Sequence, residues 1–158
     1  MKQKILFVCL GNICRSAVAE GILLHLIEKN NADLFVDSAG TSNYHIGEAP
    51  DKRTILNAKK HQIDISSLRA RQFQLSDFDN FDKIYVMDKN NLSNVLRLTT
   101  DLKHHSKVDL LLNLIYPEQN FEVPDPYYGG EQGFEDVFQM VYQSCEKIIS
   151  NHTSIINK

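Results

Sequence analysis

Cysteine is scarce in this chain, with three in 158 residues. An odd, sparse set does not make the disulfide framework of a small secreted domain, and it points to a reducing, cytoplasmic location. Charge of one sign is also lacking: 17 Lys and Arg face 20 Asp and Glu, for a net charge of −3. That balance offers no electrostatic footprint for nucleic acid or for an anionic membrane surface. No apolar run approaches the length of a membrane span. The N-terminus imitates an export signal, with Lys2 and Lys4, an apolar run over residues 5–10, and Ala17-Val18-Ala19 as a cleavage site. The run is too short for a usual signal core, however, and Asn12 and Arg15 interrupt the approach to that site. The six histidines show no metal-ligand spacing, and the adjacent His104 and His105 would point different ways in what reads as a solvated loop. With no repeat, low-complexity segment or linker, residues 1–158 read as one domain. That length buries a core without disulfides or structural metal.

What the chain does have is concentrated near its start, in Ile5-Leu6-Phe7-Val8-Cys9-Leu10-Gly11-Asn12-Ile13-Cys14-Arg15-Ser16. The β-branched and aromatic run 5–8 reads as a central strand. From Ala17 the pattern becomes helical, with Ala19, Ile22, Leu23, Leu26 and Ile27 on one face. Cys9 therefore stands where a strand ends and a helix N-terminus points. Unpaired amides and the helix dipole favour an anion there, and they favour the thiolate form of a cysteine. Arg15 adds a planar fork able to grip two oxygens of a tetrahedral oxyanion. A nucleophile, a nest of amides and an arginine fork around one phosphate-sized hole suit phosphoryl transfer.

The remaining elements follow in alternation. Helices are expected over residues 16–29, 51–61 and 88–97, and over 134–151 with Val137, Phe138, Val141, Cys145, Ile148 and Ile149 buried. The helix at 51–61 is expected to turn Ile55, Leu56 and Ala58 inward. Strands are expected at 34–37, 82–87 and 107–110, with 111–115 extending the last or turning helical. Residues 63–74 read as irregular surface and 121–133 as a long loop. Ser16 can donate a hydrogen bond to the Cys9 thiolate and help sulfur leave, a role compatible with N-capping the first helix, and Asp88 is a candidate N-cap of the helix it precedes. Four strands alternating with helices predict a single doubly wound α/β domain. It has a four-stranded parallel sheet in the order 2-1-3-4, with helices on both faces. The loop after the first strand lies at the switch point of such a sheet, where ligands bind.

A phosphate ester also needs a proton for its leaving oxygen. Asp125 lies between Pro124 and Pro126, which hold its backbone extended, so its carboxyl is a positioned candidate acid. Tyr44, Tyr127 and Tyr128 are candidate walls of a slot for an aryl group. Cys14 shares the loop with Cys9, the arrangement for a reversible disulfide that protects an oxidised nucleophile. Cys145, on a buried helical face, reads as inert core.

The chain resembles the low-molecular-weight protein tyrosine phosphatases, whose signature reads V-C-x-G-N-I-C-R-S. The likeness extends to Asp37-Ser38-Ala39-Gly40-Thr41, the Tyr44 to Asp51 loop, Arg69-Ala70-Arg71-Gln72, Met87-Asp88 and Asp125-Pro126-Tyr127-Tyr128-Gly129. It implies a protein-tyrosine phosphatase that uses no metal or cofactor. Cys9 forms a cysteinyl-phosphate, and the Arg15 fork with the amides of Leu10, Gly11, Asn12, Ile13, Cys14 and Arg15 holds the phosphate in a loop that Ser16 completes. Asp125 acts as acid and then as base. It also implies that Asn12 is tied to Ser38, that Tyr44 and Tyr127 contact substrate, and that Asp88 supports the loop. A phosphotyrosine-containing protein is the implied partner, a tyrosine kinase among the candidates, and a monomer is the default.

The chain departs from the family pattern at Ala17, where Pro is frequent, at Asn43, where Gly often stands, and at Leu68, where many members carry His. A phosphoarginine phosphatase and a thiol-dependent arsenate reductase are rival readings on the same fold. Relatives of the first kind carry Thr at the position of Ile13, and the second needs relay cysteines, whereas nothing lies between Cys14 and Cys145. A phosphate-binding module without turnover is a third, which has no use for Cys9, Ser16 and Asp125 together.

Overall fold

The computed structural model describes residues 2–156, with Tyr128 and residues 154–156 described by backbone alone. Four parallel strands form the sheet: β1 (Gln3–Cys9), β2 (Leu34–Gly40), β3 (Lys83–Val86) and β4 (Val108–Leu110), in the order β2-β1-β3-β4. This is the expected topology. β1 is central, pairing Cys9 with Gly40 on one side and Val8 with Val86 on the other. The helices are α1 (Arg15–Asn30), α2 (Lys52–Lys60), α3 (Asp77–Asn80), α4 (Lys89–Leu96), α5 (Leu102–His105) and α6 (Gly130–Ile156).

Alternation along β1 divides its side chains between two cores, because successive residues of a strand face opposite ways. Ile5, Phe7 and Cys9 join Val18, Ile22, Leu23 and Leu26 of α1 and Val137, Phe138, Val141 and Cys145 of α6. Leu6 and Val8 join Phe78 of α3, Val95 of α4, and Ile84 and Val86 of β3. Cys9, the last strand residue, thus belongs to the face that carries α1.

Several expectations are corrected. Residues 63–74 are irregular but not surface: Ile63, Ile65, Ala70 and Phe73 are buried. On α2 the buried residues are Thr54, Asn57 and Ala58, and Leu56 is 61% exposed. The short helix is held instead by polar contacts to α6, where Asn57 Nδ2 donates to Glu135 at 2.9 Å and His61 Nε2 meets the same carboxylate at 2.8 Å. His61 also stacks on Phe138. The last helix begins at Gly130 rather than 134, and a 3-10 turn at Pro126–Tyr128 shortens the loop before it. A second 3-10 turn, Leu111–Leu114, follows β4. His104 and His105 sit on α5, not in a solvated loop. His104 stacks on Phe78 and bonds Asp79, while His105 bonds the carbonyls of Leu96 and Thr99. They do point different ways. Among the described residues no helix is long and apolar enough to cross a membrane.

Candidate active site

The loop that connects β1 to α1 is shaped from outside by its carbonyls. Cys9 O accepts from Thr41 N at 2.9 Å, Leu10 O from Ser42 N at 2.9 Å, Ile13 O from Asp51 N at 2.8 Å and Cys14 O from Val18 N at 2.9 Å. With the carbonyls turned outward, the amides turn in. Those of Leu10, Gly11, Ile13, Cys14 and Arg15 donate to no group among the described residues. The Asn12 amide points at the Cys9 sulfur, 3.3 Å away. Asn12 itself is left-handed (φ 58°), a conformation asparagine tolerates better than most residues. α1 opens at Cys14 without any side-chain cap, so the positive end of its dipole also faces this space. Ser16 is therefore not the N-cap it was expected to be; it lies inside the first turn and its hydroxyl is used elsewhere.

That hydroxyl lies 3.0 Å from the Cys9 sulfur. It accepts from Asn12 Nδ2 at 2.8 Å, which leaves its own proton for the sulfur or, more distantly, for Ala39 O at 3.4 Å. The same Asn12 nitrogen donates to Ser38 Oγ at 2.9 Å, so the expected Asn12–Ser38 tie is present. Asn12 Oδ1 accepts from Arg71 N at 3.0 Å, which fixes the way the amide faces.

Gly40 ends β2 directly behind this loop. A Cβ there would stand 2.8 Å from Leu10 O and 3.1 Å from Gly11 C, both backbone atoms, so only glycine lets the two segments approach. Gly40 N in turn donates to Arg71 O, joining the 69–72 segment to the same corner.

Arg15 is 5% exposed. Its Nη1 donates to Asp88 Oδ2 at 2.7 Å and to Val123 O at 2.9 Å. Nε and Nη2 have no acceptor among the described residues, so one edge of the fork remains for two oxygens of a ligand. Burial pulls the guanidinium down, but the Cys9 sulfur, Asp88 and Asp125 outweigh it and raise its pKa, so it stays charged. Asp88 does two jobs as expected: its other oxygen caps α4 through Asn91 N at 2.8 Å, completed as a capping box by Asn91.

Cys14 is also in the loop. Burial pushes its thiol up to about 12. The Thr54 hydroxyl beside the sulfur works the other way, without reaching hydrogen-bond geometry to any group, and Asp51, Cys9 and Asp125 add to the rise. Cys145 is wholly buried on α6, with its thiol facing Ala19 O, and burial raises its pKa further still.

Asp125 is exposed at the mouth, close enough to act electrostatically on both Arg15 and Cys14. Its carboxylate accepts from Tyr127 N at 3.0 Å, which holds the side chain at the start of the 3-10 turn. Tyr127 is 60% exposed, and the Arg53 guanidinium lies over its ring at 4.9 Å and over Phe134 at 4.9 Å. Arg53 is in turn forked onto Asp51 through Nε at 3.1 Å and Nη2 at 3.0 Å. Tyr44 is 74% exposed beside Leu10, Thr41 and Ser42. The Tyr128 side chain lies outside the described residues. Arg53, Thr54 and Glu20, whose carboxylate takes the Ser38 proton at 2.6 Å, carried no signal in the sequence beyond polar positions on helices.

The family model described as low molecular weight phosphotyrosine protein phosphatase matches residues 4–157. A low molecular weight phosphotyrosine protein phosphatase of Dictyostelium discoideum is 40% identical over 171 aligned residues, covering 98% of this chain and 96% of that one. Among solved structures, a protein tyrosine phosphatase from Entamoeba histolytica with Hepes in its active site matches with a TM-score of 0.88. That pair is 36% identical over 97% of this chain and 98% of the other. A Drosophila arginine phosphatase matches with a TM-score of 0.86 at 33% identity, over 96% and 98% of the two chains.

Proposed function

The chain belongs to the low molecular weight phosphotyrosine protein phosphatase family, and from that membership we propose that it hydrolyses phosphotyrosine in proteins through a cysteinyl-phosphate. The observation that carries this reading is the run of loop amides after Cys9 that find no acceptor among the described residues, with Asn12 N 3.3 Å from the sulfur and one edge of the Arg15 fork left over. Such an array matches the equatorial oxygens of a phosphoryl group, and its donors stabilise charge without reorganising as the reaction proceeds.

In the first step Cys9 Sγ attacks phosphorus, the P–O bond to tyrosine breaks, and Asp125 gives its proton to the departing phenolate oxygen. In the second, the Asp125 carboxylate takes a proton from water, the water oxygen attacks phosphorus, and the P–S bond breaks. Sulfur leaves as a thiolate that accepts a hydrogen bond from the Ser16 hydroxyl, and inorganic phosphate is the product. Arg15 and the loop amides hold the oxygens through both steps. Tyr44 and Tyr127 flank the ring of the substrate.

Ile13 favours an aryl substrate over phosphoarginine, because a bulky apolar group in the loop neither orients water nor accepts a guanidinium hydrogen bond. The burial of Cys145 against α1 speaks against arsenate reduction by a cysteine relay, which needs a mobile second thiol. We place the protein in the cytoplasm, acting as a monomer on phosphoproteins, with Cys14 as the redox partner of Cys9.

The test is hydrolysis of an aryl phosphate in EDTA by wild type, Cys9→Ser and Asp125→Asn, followed by phosphotyrosine and phosphoarginine peptides. Expected are turnover by wild type, none by Cys9→Ser, a loss of about 100-fold or more in Asp125→Asn, and preference for phosphotyrosine. Inactive wild type under reducing conditions, or preference for phosphoarginine, overturns the reading.

A further inference from the structure

Behind Cys9 the polar side chains continue through the buried layer under α1 to a half-buried carboxylate that the proposed reaction does not use. Cys9 Sγ meets Ser16 Oγ at 3.0 Å, Ser16 Oγ meets Asn12 Nδ2 at 2.8 Å, Asn12 Nδ2 meets Ser38 Oγ at 2.9 Å, and Ser38 Oγ meets Glu20 Oε1 at 2.6 Å. Asn12 and Ser16 are 3% and 0% exposed and Ser38 is 4%, so water does not complete their bonding. We propose that Glu20 is a positioning residue for the phosphatase reaction: as terminal acceptor of this chain, it dictates that the Ser16 hydroxyl directs its proton to the Cys9 sulfur. The proposal rests on Cys9 being the nucleophile.

The proton inventory supplies the reason. Asn12 Nδ2 has two hydrogens and gives one to each serine, so both serine oxygens are acceptors and each must place its own proton elsewhere. Ser38 has one acceptor for that proton, Glu20. Ser16 then turns its proton to sulfur, where a charge-assisted bond to a thiolate is stronger than one between neutral groups. Remove the carboxylate and the Ser38 proton is orphaned in a buried place, which costs free energy. The relief nearest at hand is rotation of the Asn12 amide, bringing Oδ1 round to accept from the serines. Ser16 would then spend its proton on Asn12, and Cys9 would lose it. Rotation is opposed by Arg71 N, which faces Oδ1 at 3.0 Å. Glu20 and Arg71 thus hold the amide from two sides.

The surroundings of Glu20 bear on its charge. Burial pushes its pKa up to about 7, the Ser38 bond draws it down, Asp37 on β2 adds to the rise, and Arg71 opposes it. Arg71 is itself shared between Asp37 at 3.0 Å and Asp77 at 3.0 Å. No cation bonds Glu20 directly among the described residues, and Leu68 is packed against the apolar core. Even protonated, the carbonyl oxygen of Glu20 still accepts from Ser38, so the isosteric amide should preserve the direction of the chain.

The readout is alkylation of Cys9 by iodoacetate at pH 6, localised by mass spectrometry, alongside aryl-phosphate turnover. Cys14 is held near 12 and Cys145 is buried, so neither competes at that pH. In Glu20→Leu, alkylation of Cys9 should slow about tenfold, matching the loss of one hydrogen bond to a charged group. Glu20→Gln should stay within about threefold of wild type. Ser38→Ala removes the hydroxyl proton that would be orphaned, so alone it should stay within about threefold of wild type, and in the double variant it should restore most of the alkylation rate lost in Glu20→Leu. A Glu20→Leu protein that melts like wild type and alkylates at the wild-type rate overturns the proposal, as does additivity in the double variant. Alkylation needs no turnover, so an inactive wild type whose alkylation still responds to Glu20 would defeat the phosphatase reading and leave the positioning role standing.

Discussion

Arg15 and Asp88 meet at 2.7 Å across the end of the sheet, the arginine from the first turn of α1 and the carboxylate from the start of α4. One carboxylate oxygen orients the guanidinium and the other caps a helix, so the two roles can be separated by substitution. Asp88→Asn keeps the cap and removes the charge. Its amide nitrogen faces Arg15 with a donor where an acceptor stood, so it should melt below wild type but above a variant that also loses the cap, while kcat/KM falls about tenfold. Asp88→Ala also loses the cap and leaves Arg15 buried and half-paired, at a combined cost of about 3 kcal/mol in stability. Equal melting temperatures for the two variants in thermal unfolding would contradict this division.

Gly40 makes a sharper case. A methyl group at 40 can avoid Leu10 O only if the loop after β1 or the end of β2 moves. Gly40→Ala should therefore keep a cooperative unfolding transition but lose affinity for inorganic phosphate, measured as a competitive inhibition constant, by tenfold or more.

Arg53 ties α2 to the turn that carries Asp125, through two aromatic rings and Asp51. Loss of that clamp should show where the acid matters. Arg53→Ala should slow hydrolysis of phenyl phosphate several-fold more than that of an aryl phosphate with an acidic phenol, which departs without a proton. Lysine should not rescue it, lacking the planar group that stacks. An equal effect on both substrates would assign Arg53 to binding alone.

Glu20 also makes stability depend on pH. Its pKa is raised on folding from an ordinary glutamate value to about 7, so the folded protein holds a proton that the unfolded chain releases. Stability from this group is complete below pH 4.5 and is lost as pH rises to about 7, an effect on the order of 2 kcal/mol. Glu20→Gln should hence melt higher than wild type at pH 8 and no higher at pH 4.5. A constant difference across that range in calorimetry would show that Glu20 does not titrate there.

Peroxide should convert the Cys9 thiolate to a sulfenic acid with release of hydroxide, and the Cys14 thiol should then displace water to close a disulfide. Since burial pushes Cys14 to about 12, closure draws on a small thiolate fraction and should quicken about tenfold per pH unit through neutrality. Thiol should restore wild type, whereas Cys14→Ser should be lost irreversibly. A pH-independent closure rate would point to another base near Cys14.

The sequence was most legible where one physical pattern dominated. The apolar run into Cys9 and the helical period after Ala17 located β1, the loop and α1. Alternation of elements led to the strand order. Legibility failed where polar contacts replaced periodicity. The buried stripe of α2 runs through Thr54 and Asn57, so apolar Leu56 was assigned inward and is exposed. Residues 63–74 have no period, yet Ile65 and Phe73 are core because the segment docks on Gly40 and α1 rather than on itself. Glu20 looked like an ordinary solvent-facing helix position. Its meeting with Ser38, 18 positions away, depends on how α1 packs over β2, which no local pattern encodes.

The loop after β1 is braced through its carbonyls by the amides of Thr41, Ser42 and Asp51. A concavity shaped by its scaffolding discriminates by size, tetrahedral form and charge, and is indifferent to the element at the centre. Vanadate, molybdate, arsenate and sulfate should all compete there. So should the phosphate that the proposed reaction releases, and inorganic phosphate would then act as a standing brake on the enzyme without any dedicated regulator.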